Sequence, residues 1–215
     1  MIQRLSRARV GHSILIVATA CCVGLVAASH TFTSTWKAPG TGRLDFAGKK
    51  VAALVITTDE NLRMSAESAL AREITARGPK GVAAYTLIPR EELTDKDKAK
   101  GWFERTGVEG VVAMRIVGVD KQRSYSAVVW SSGYYGNFYD YYGSSWATVT
   151  PIGKGQIDTT VAVETLLYHV SDAKLLWASV SETTNPKDAG AFMKEFVKVA
   201  VKELQKEGLV RKPQK

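Results

Sequence analysis

The chain is poor in cysteine and histidine, and their positions matter as much as their scarcity. Its two cysteines are adjacent, Cys21 and Cys22. Downstream of them no disulfide, thiol nucleophile or cysteine-bound metal can form within the chain. The three histidines are His12, His30 and His169. A Ser-His-Asp relay needs an imidazole oriented in a pocket. His30 lies in a polar stretch, and His169 flanks a turn with Ser171 and Asp172, so neither position predicts one. No glycine-rich loop leads from a strand into a helix as a phosphate loop does. Thr41-Gly42 and Gly153-Lys154-Gly155 both lack that setting. No cofactor and no metal is expected.

What is present starts at the N-terminus. Arg4, Arg7 and Arg9 have no acidic residue beside them, and an uncharged run from Ile14 to Ala28 ends in Ala27, Ala28 and Ser29. Basic start, apolar middle and small-residue exit describe a bacterial export leader over residues 1–29. At 15 residues the run falls short of the roughly 18 to 20 that span a bilayer. Three endings stay open: lipidation at Cys21, cleavage near Ala28 or Ser29, or retention as an anchor. Ala18-Thr19-Ala20-Cys21 resembles a lipobox, with Ala18 where Leu is usual. Without the three leader arginines the formal charge is +5 rather than +8. Export and this modest charge argue against nucleic acid as a partner.

The remainder predicts a tether over 30–50, one α/β domain over 51–210 and a tail over 211–215. Val51–Ile56 is a short apolar run of the kind buried on both faces of a sheet. Asp59 or Asn61 caps a helix carrying Leu62, Ala66, Leu70 and Ile74, and Gly78-Pro79 ends it. Val82–Ile88 reads as a second strand. A helix capped by Thr94 follows, then a third strand over Gly110–Val119. Ile157–Val170 and Leu175–Glu182 form a hairpin around Ser171–Lys174. Asn185 caps a last helix with Phe192, Phe196, Val199, Ala200 and Leu204 on its buried stripe, closed by Gly208. The fold class is α/β: a mixed sheet in the order β-α-β-α-β-(aromatic loop)-β-β-α, with helices packed on it.

Residues 125–150 are the unusual part. Six of the eight tyrosines lie there, interleaved with Gly and Ser. Tyrosine joins an apolar face to a polar tip, which suits wet binding surfaces. Tyr134, Tyr135, Phe138, Tyr139, Tyr141, Tyr142 and Trp146 are therefore the candidate partner-binding residues, for an envelope protein or glycan. Other constellations are weaker. Glu91, Glu92, Asp95 and Asp97 sit among lysines at a helix start, where acids favour the dipole. Lys194, Lys198, Lys202 and Lys206 form a basic ridge of the kind that is usually just solvated. Glu164 and Glu182 are the one carboxylate pair a hydrolase could use.

Several segments together resemble a family of bacterial envelope lipoproteins built on a domain of unknown function: Thr33-Ser-Thr-Trp36-Lys37-Ala-Pro39 after the leader, Val51–Ile56, Tyr85-Thr-Leu-Ile-Pro89, Gly107–Val117, the Tyr/Gly segment, Val163–Tyr168, Lys174–Trp177 and Lys206-Glu-Gly208-Leu209. More distantly the chain is similar to the small α/β domain of the curli-secretion lipoprotein, of lipoprotein activators of penicillin-binding proteins, and of the N-terminal domain of the Tol propeller protein. The resemblance implies a non-enzymatic periplasmic protein, tethered to a membrane by lipid or anchor, that binds a partner. It carries over no active-site residue. An envelope-polymer hydrolase using Glu164 and Glu182, and a structural subunit that oligomerises through its sheet edge, are the alternatives.

Overall fold

A computed structural model describes residues 30–120, 133–149, 160–184 and 189–207. The strands are β1 (His30–Lys37), β2 (Lys50–Ile56), β3 (Lys80–Ala83), β4 (Val108–Asp120), β5 (Thr160–His169) and β6 (Lys174–Thr184). The helices are α1 (Glu60–Thr75), α2 (Lys96–Arg105), α3 (Gly133–Gly136), α4 (Phe138–Ala147) and α5 (Ala189–Lys206). One sheet runs β1-β6-β5-β4-β2-β3. Its β3-β2-β4 part is parallel, and its β4-β5-β6-β1 part is antiparallel. This is the mixed sheet expected from two strand–helix–strand units followed by a hairpin.

Because β2, β4 and β5 are central, their alternate residues feed two separate cores. Val51, Ala53, Val55, Val112, Met114, Val163 and Leu167 face α1 and α5. Ala52, Leu54, Ile56, Val111, Ala113, Leu166 and Tyr168 face α2 and α4. Strands buried on both sides must be apolar throughout, which explains the unbroken run Val51–Ile56. Leu62, Ala66, Leu70 and Ile74 make the α1 contact, and Asp59 accepts from the Leu62 N–H at 3.0 Å as its cap. Among the described side chains of α5 the buried ones are Met193, Phe196, Val197, Ala200, Val201 and Leu204, so Met193, Val197 and Val201 join the expected stripe, Val199 is only partly buried, and the side chain of Phe192 lies outside those described. The expected cap at Asn185 and stop at Gly208 lie outside the described residues.

Four expectations are corrected. The start of the 30–50 tether is strand β1, hydrogen-bonded along β6 with a bulge between Phe32 and Ser34. The second strand ends at Ala83 and gives way to 3-10 turns at Ala84–Thr86 and Arg90–Glu92, because the Tyr85 N–H turns away to a carboxylate of α1. The cap of α2 is Asp95 rather than Thr94, and one of its oxygens accepts from Asp97 and Lys98 N–H. Finally, residues 133–149 of the aromatic loop are two helices rather than a loop; its other residues lie outside those described.

Candidate functional site

Helix α4 shows how the aromatic segment is organised. Asn137 accepts at one oxygen from Tyr139 N–H (2.9 Å) and Asp140 N–H (3.3 Å), a side-chain cap that starts the helix. Phe138, Tyr141, Tyr142 and Ser145 then recur at helical spacing and are fully buried; Tyr139 is nearly so. Phe138 stands edge-on to Phe103 of α2 at 5.5 Å and leans on Tyr168 at 5.2 Å. The Tyr142 hydroxyl donates to the Leu93 carbonyl. These side chains are core, not surface. Of the candidate partner contacts, Phe138, Tyr139, Tyr141 and Tyr142 are buried, whereas Tyr134, Tyr135 and Trp146 are partly accessible.

Beneath this cap lies a buried ion pair. Arg115 on β4 and Glu164 on β5 are direct cross-strand partners. Arg115 Nε donates to Glu164 Oε1 at 2.7 Å, and Tyr141 donates to the same oxygen at 2.9 Å. Tyr135 donates to Oε2 at 3.2 Å, and Arg115 Nη1 reaches Thr148 Oγ1 at 2.7 Å. The guanidinium also lies within 6 Å of the Tyr134 and Tyr141 rings. Burial pushes the Glu164 carboxyl above its ordinary range, and Arg115 and the two phenols oppose that push. Burial and the Glu164 charge raise Tyr141 and Tyr135, which keeps both phenols protonated as donors. Three donors converging on two oxygens make a closed network. Glu182 sits opposite Ala162, diagonal to Glu164 on the same face. Glu164 is 1% exposed, so a water or substrate has no direct approach to it.

The other sequence candidates fall into place simply. His169 Nδ1 lies 2.8 Å from Asp172 Oδ1 and 3.3 Å from Ser171 Oγ. A nucleophile relay needs Ser and Asp on opposite ring nitrogens, and here both meet the same one. Lys194, Lys198, Lys202 and Lys206 are all exposed on α5, with Lys206 3.0 Å from Glu203. No group of three metal-binding side chains occurs among the described residues, and no helix among them is long and apolar enough to cross a membrane. Cys21 lies outside the described residues.

No family model matches the chain, and no curated protein is found similar to it. Among solved structures it is similar to a PelC dodecamer from Paraburkholderia phytofirmans. That match has 16% identity over 86% of this chain and 100% of that one, with a TM-score of 0.47. It is also similar to the lipoprotein GNA1162 from Neisseria meningitidis, with 12% identity over 74% of this chain and 96% of that one and a TM-score of 0.36. Likeness at this level leaves function to be argued from the chain's own residues.

Sequence reasoning missed one site group, Glu67. It is fully buried on α1, and its two oxygens accept from Val55 N–H at 3.1 Å and Tyr85 N–H at 2.7 Å. Burial raises its pKa from 4.5 to about 7, against the pull of those two bonds and of Arg63. Its signal was an acid among Ala66, Ala69 and Leu70, on the apolar side of an amphipathic helix. The carboxylate ties the end of β2 to the turn after β3, and so shapes the carboxyl ends of the parallel strands.

Proposed function

We propose that the chain is a non-catalytic envelope subunit, held at a membrane by its N-terminal segment, that docks a protein partner along strand β1. The observation that carries this reading is the asymmetry of the sheet's two edges. Edge β3 has 4 residues, and short edges are how proteins discourage unwanted pairing. Edge β1 has 8 residues and, among the described residues, a strand on one side only. Thr33 and Thr35 on it are exposed. A peptide strand added there would gain main-chain hydrogen bonds without any pocket. The closed Arg115–Glu164 network supports the non-catalytic part, since it uses the carboxylate that a hydrolase would need.

The position of β1 sets how near the membrane a lipid on Cys21 would hold the domain. With 30–37 inside the sheet, only Cys22 to Ser29 separate a lipid on Cys21 from the domain, a reach of no more than about 29 Å. The open edge would then face partners close to the bilayer. A photo-crosslinking side chain at Thr33 or Thr35 tests the reading in intact cells, with Lys198 on the far helix as control. A discrete product from the two threonines and none from Lys198 is expected; the same pattern from all three positions, or none, overturns it. Sedimentation at rising concentration then tells whether the product is a second copy.

A further inference from the structure

We infer that the groove between the first turns of α1 and the segment Thr86–Arg90 binds a small organic carboxylate. Its position is the first argument. From β2 the chain passes to α1 on one face of the sheet, and from β3 to α2 on the other. The crevice beyond the carboxyl ends of such strands is where open α/β sheets take ligands. The groove measures about 460 Å³, within the range of small-molecule sites.

The charges are the second argument. Arg63 lines this groove while only 4% exposed, and its Nη1 has no hydrogen-bond partner among the described residues. A buried guanidinium nitrogen without an acceptor is rare and points to a missing one. Across from it, Glu60 Oε2 is 2.6 Å from Arg90 Nη1, and Glu60 Oε1 is 3.7 Å from Arg63 Nη2. The second distance is too long for a hydrogen bond. Glu60 thus sits as a carboxylate between two arginines and satisfies only one of them. Arg90 is 77% exposed and free to follow a ligand. In the groove's lining two arginines stand against Glu60, and the buried Glu67 beside Arg63 offsets part of the remaining positive charge when ionised, which suits a monoanion better than phosphate.

The walls are the third argument. Met64 is the one large apolar side chain exposed among the described residues, and it lines this groove with Leu87 and Trp102. An acid with a compact apolar body next to its carboxylate would cover them.

The test uses the full chain in non-ionic detergent and ligand-observed NMR with N-acetylalanine, its uncharged amide, and inorganic phosphate. N-acetylalanine is expected to bind and the amide not. Glu60→Gln removes the internal competitor and should tighten N-acetylalanine about 2- to 5-fold, while Arg90→Gln weakens it by a similar factor, as for exposed ion pairs. Arg63→Met should abolish binding; Arg90→Gln, at an exposed position, keeps the test decisive if that variant does not fold. Equal binding of the amide, tighter binding of phosphate, or no gain in Glu60→Gln overturns the assignment.

Discussion

Replacing Glu67 by glutamine should remove most of a pH dependence that this one buried group imposes on the fold. The carboxyl has an ordinary pKa of 4.5 when unfolded and about 7 when folded, because burial disfavours its charge. Below pH 4.5 it is protonated in both states and costs nothing. Between 4.5 and 7 the unfolded chain releases the proton while the folded chain keeps it, so stability falls as pH rises. Above 7 both states are ionised and the loss is complete. At about 1.4 kcal/mol per pH unit of difference, the loss amounts to roughly 3 kcal/mol. Glutamine keeps one acceptor oxygen for two N–H donors, Val55 and Tyr85. Leaving one of them unmet costs about 1 to 3 kcal/mol at any pH. The variant should therefore be weaker than the natural chain at pH 4.5 and equal to it, or up to about 2 kcal/mol more stable, at pH 8. Urea unfolding of residues 30–215, followed by circular dichroism across that range, measures both. Subtracting the two curves cancels His30, His169 and the other carboxylates. A difference that stays constant from pH 4.5 to 8 would refute the assignment of a raised pKa to Glu67.

Two further stability predictions rest on single contacts. Tyr141→Phe removes a donor 2.9 Å from the buried Glu164 carboxylate and should lower the unfolding free energy by about 1 to 3 kcal/mol in the same assay; a change under a few tenths would mean that the network is not closed. A Cβ at Gly81 would sit 2.1 Å from the Ala71 carbonyl oxygen, so Gly81→Ala must push β3 off α1 at a cost of about 2 kcal/mol or more, whereas Gly136→Ala meets nothing within 4 Å and should fold normally.

The doubly buried strands, the α1 stripe with its Asp59 cap, and the β5–β6 hairpin were legible because burial there shows in the local sequence, as an unbroken apolar run in the first case and as periodicity in the others. Strand β1 was not, since an edge strand keeps one side wet and can be rich in threonine and serine like any linker. Its weak signal was the spacing of Phe32 and Trp36 around exposed Thr33 and Thr35. The shortening of β3 was illegible for a different reason. Tyr85-Thr-Leu-Ile88 has ordinary strand composition, but its first N–H is taken by Glu67, 18 residues upstream. No window of neighbouring residues contains that competition.

The aromatic segment shows why composition misdirects where period does not. Tyrosine-rich sequence with glycine suggests a wet surface because exposed phenols bind well. The same residues read by position give Phe138, Tyr141, Tyr142 and Ser145, the i, i+3, i+4, i+7 stripe of a helix begun by Asn137. The phenol groups are needed inside because Arg115 and Glu164 face each other across the middle of the sheet. A buried pair is tolerable only when its remaining lone pairs and protons are met. Tyr135 and Tyr141 supply two of the three side-chain donors that meet Glu164, and Thr148 meets Arg115. Deleting 131–145 would therefore remove both the α4 aromatic residues of the second core and the partners of a buried charge. Loss of binding in such a deletion would report unfolding, so a partner has to be sought with point changes at Thr33 and Thr35 on β1 and at Glu60 and Arg90 in the groove, where the side chains are accessible and can change while the core stays closed.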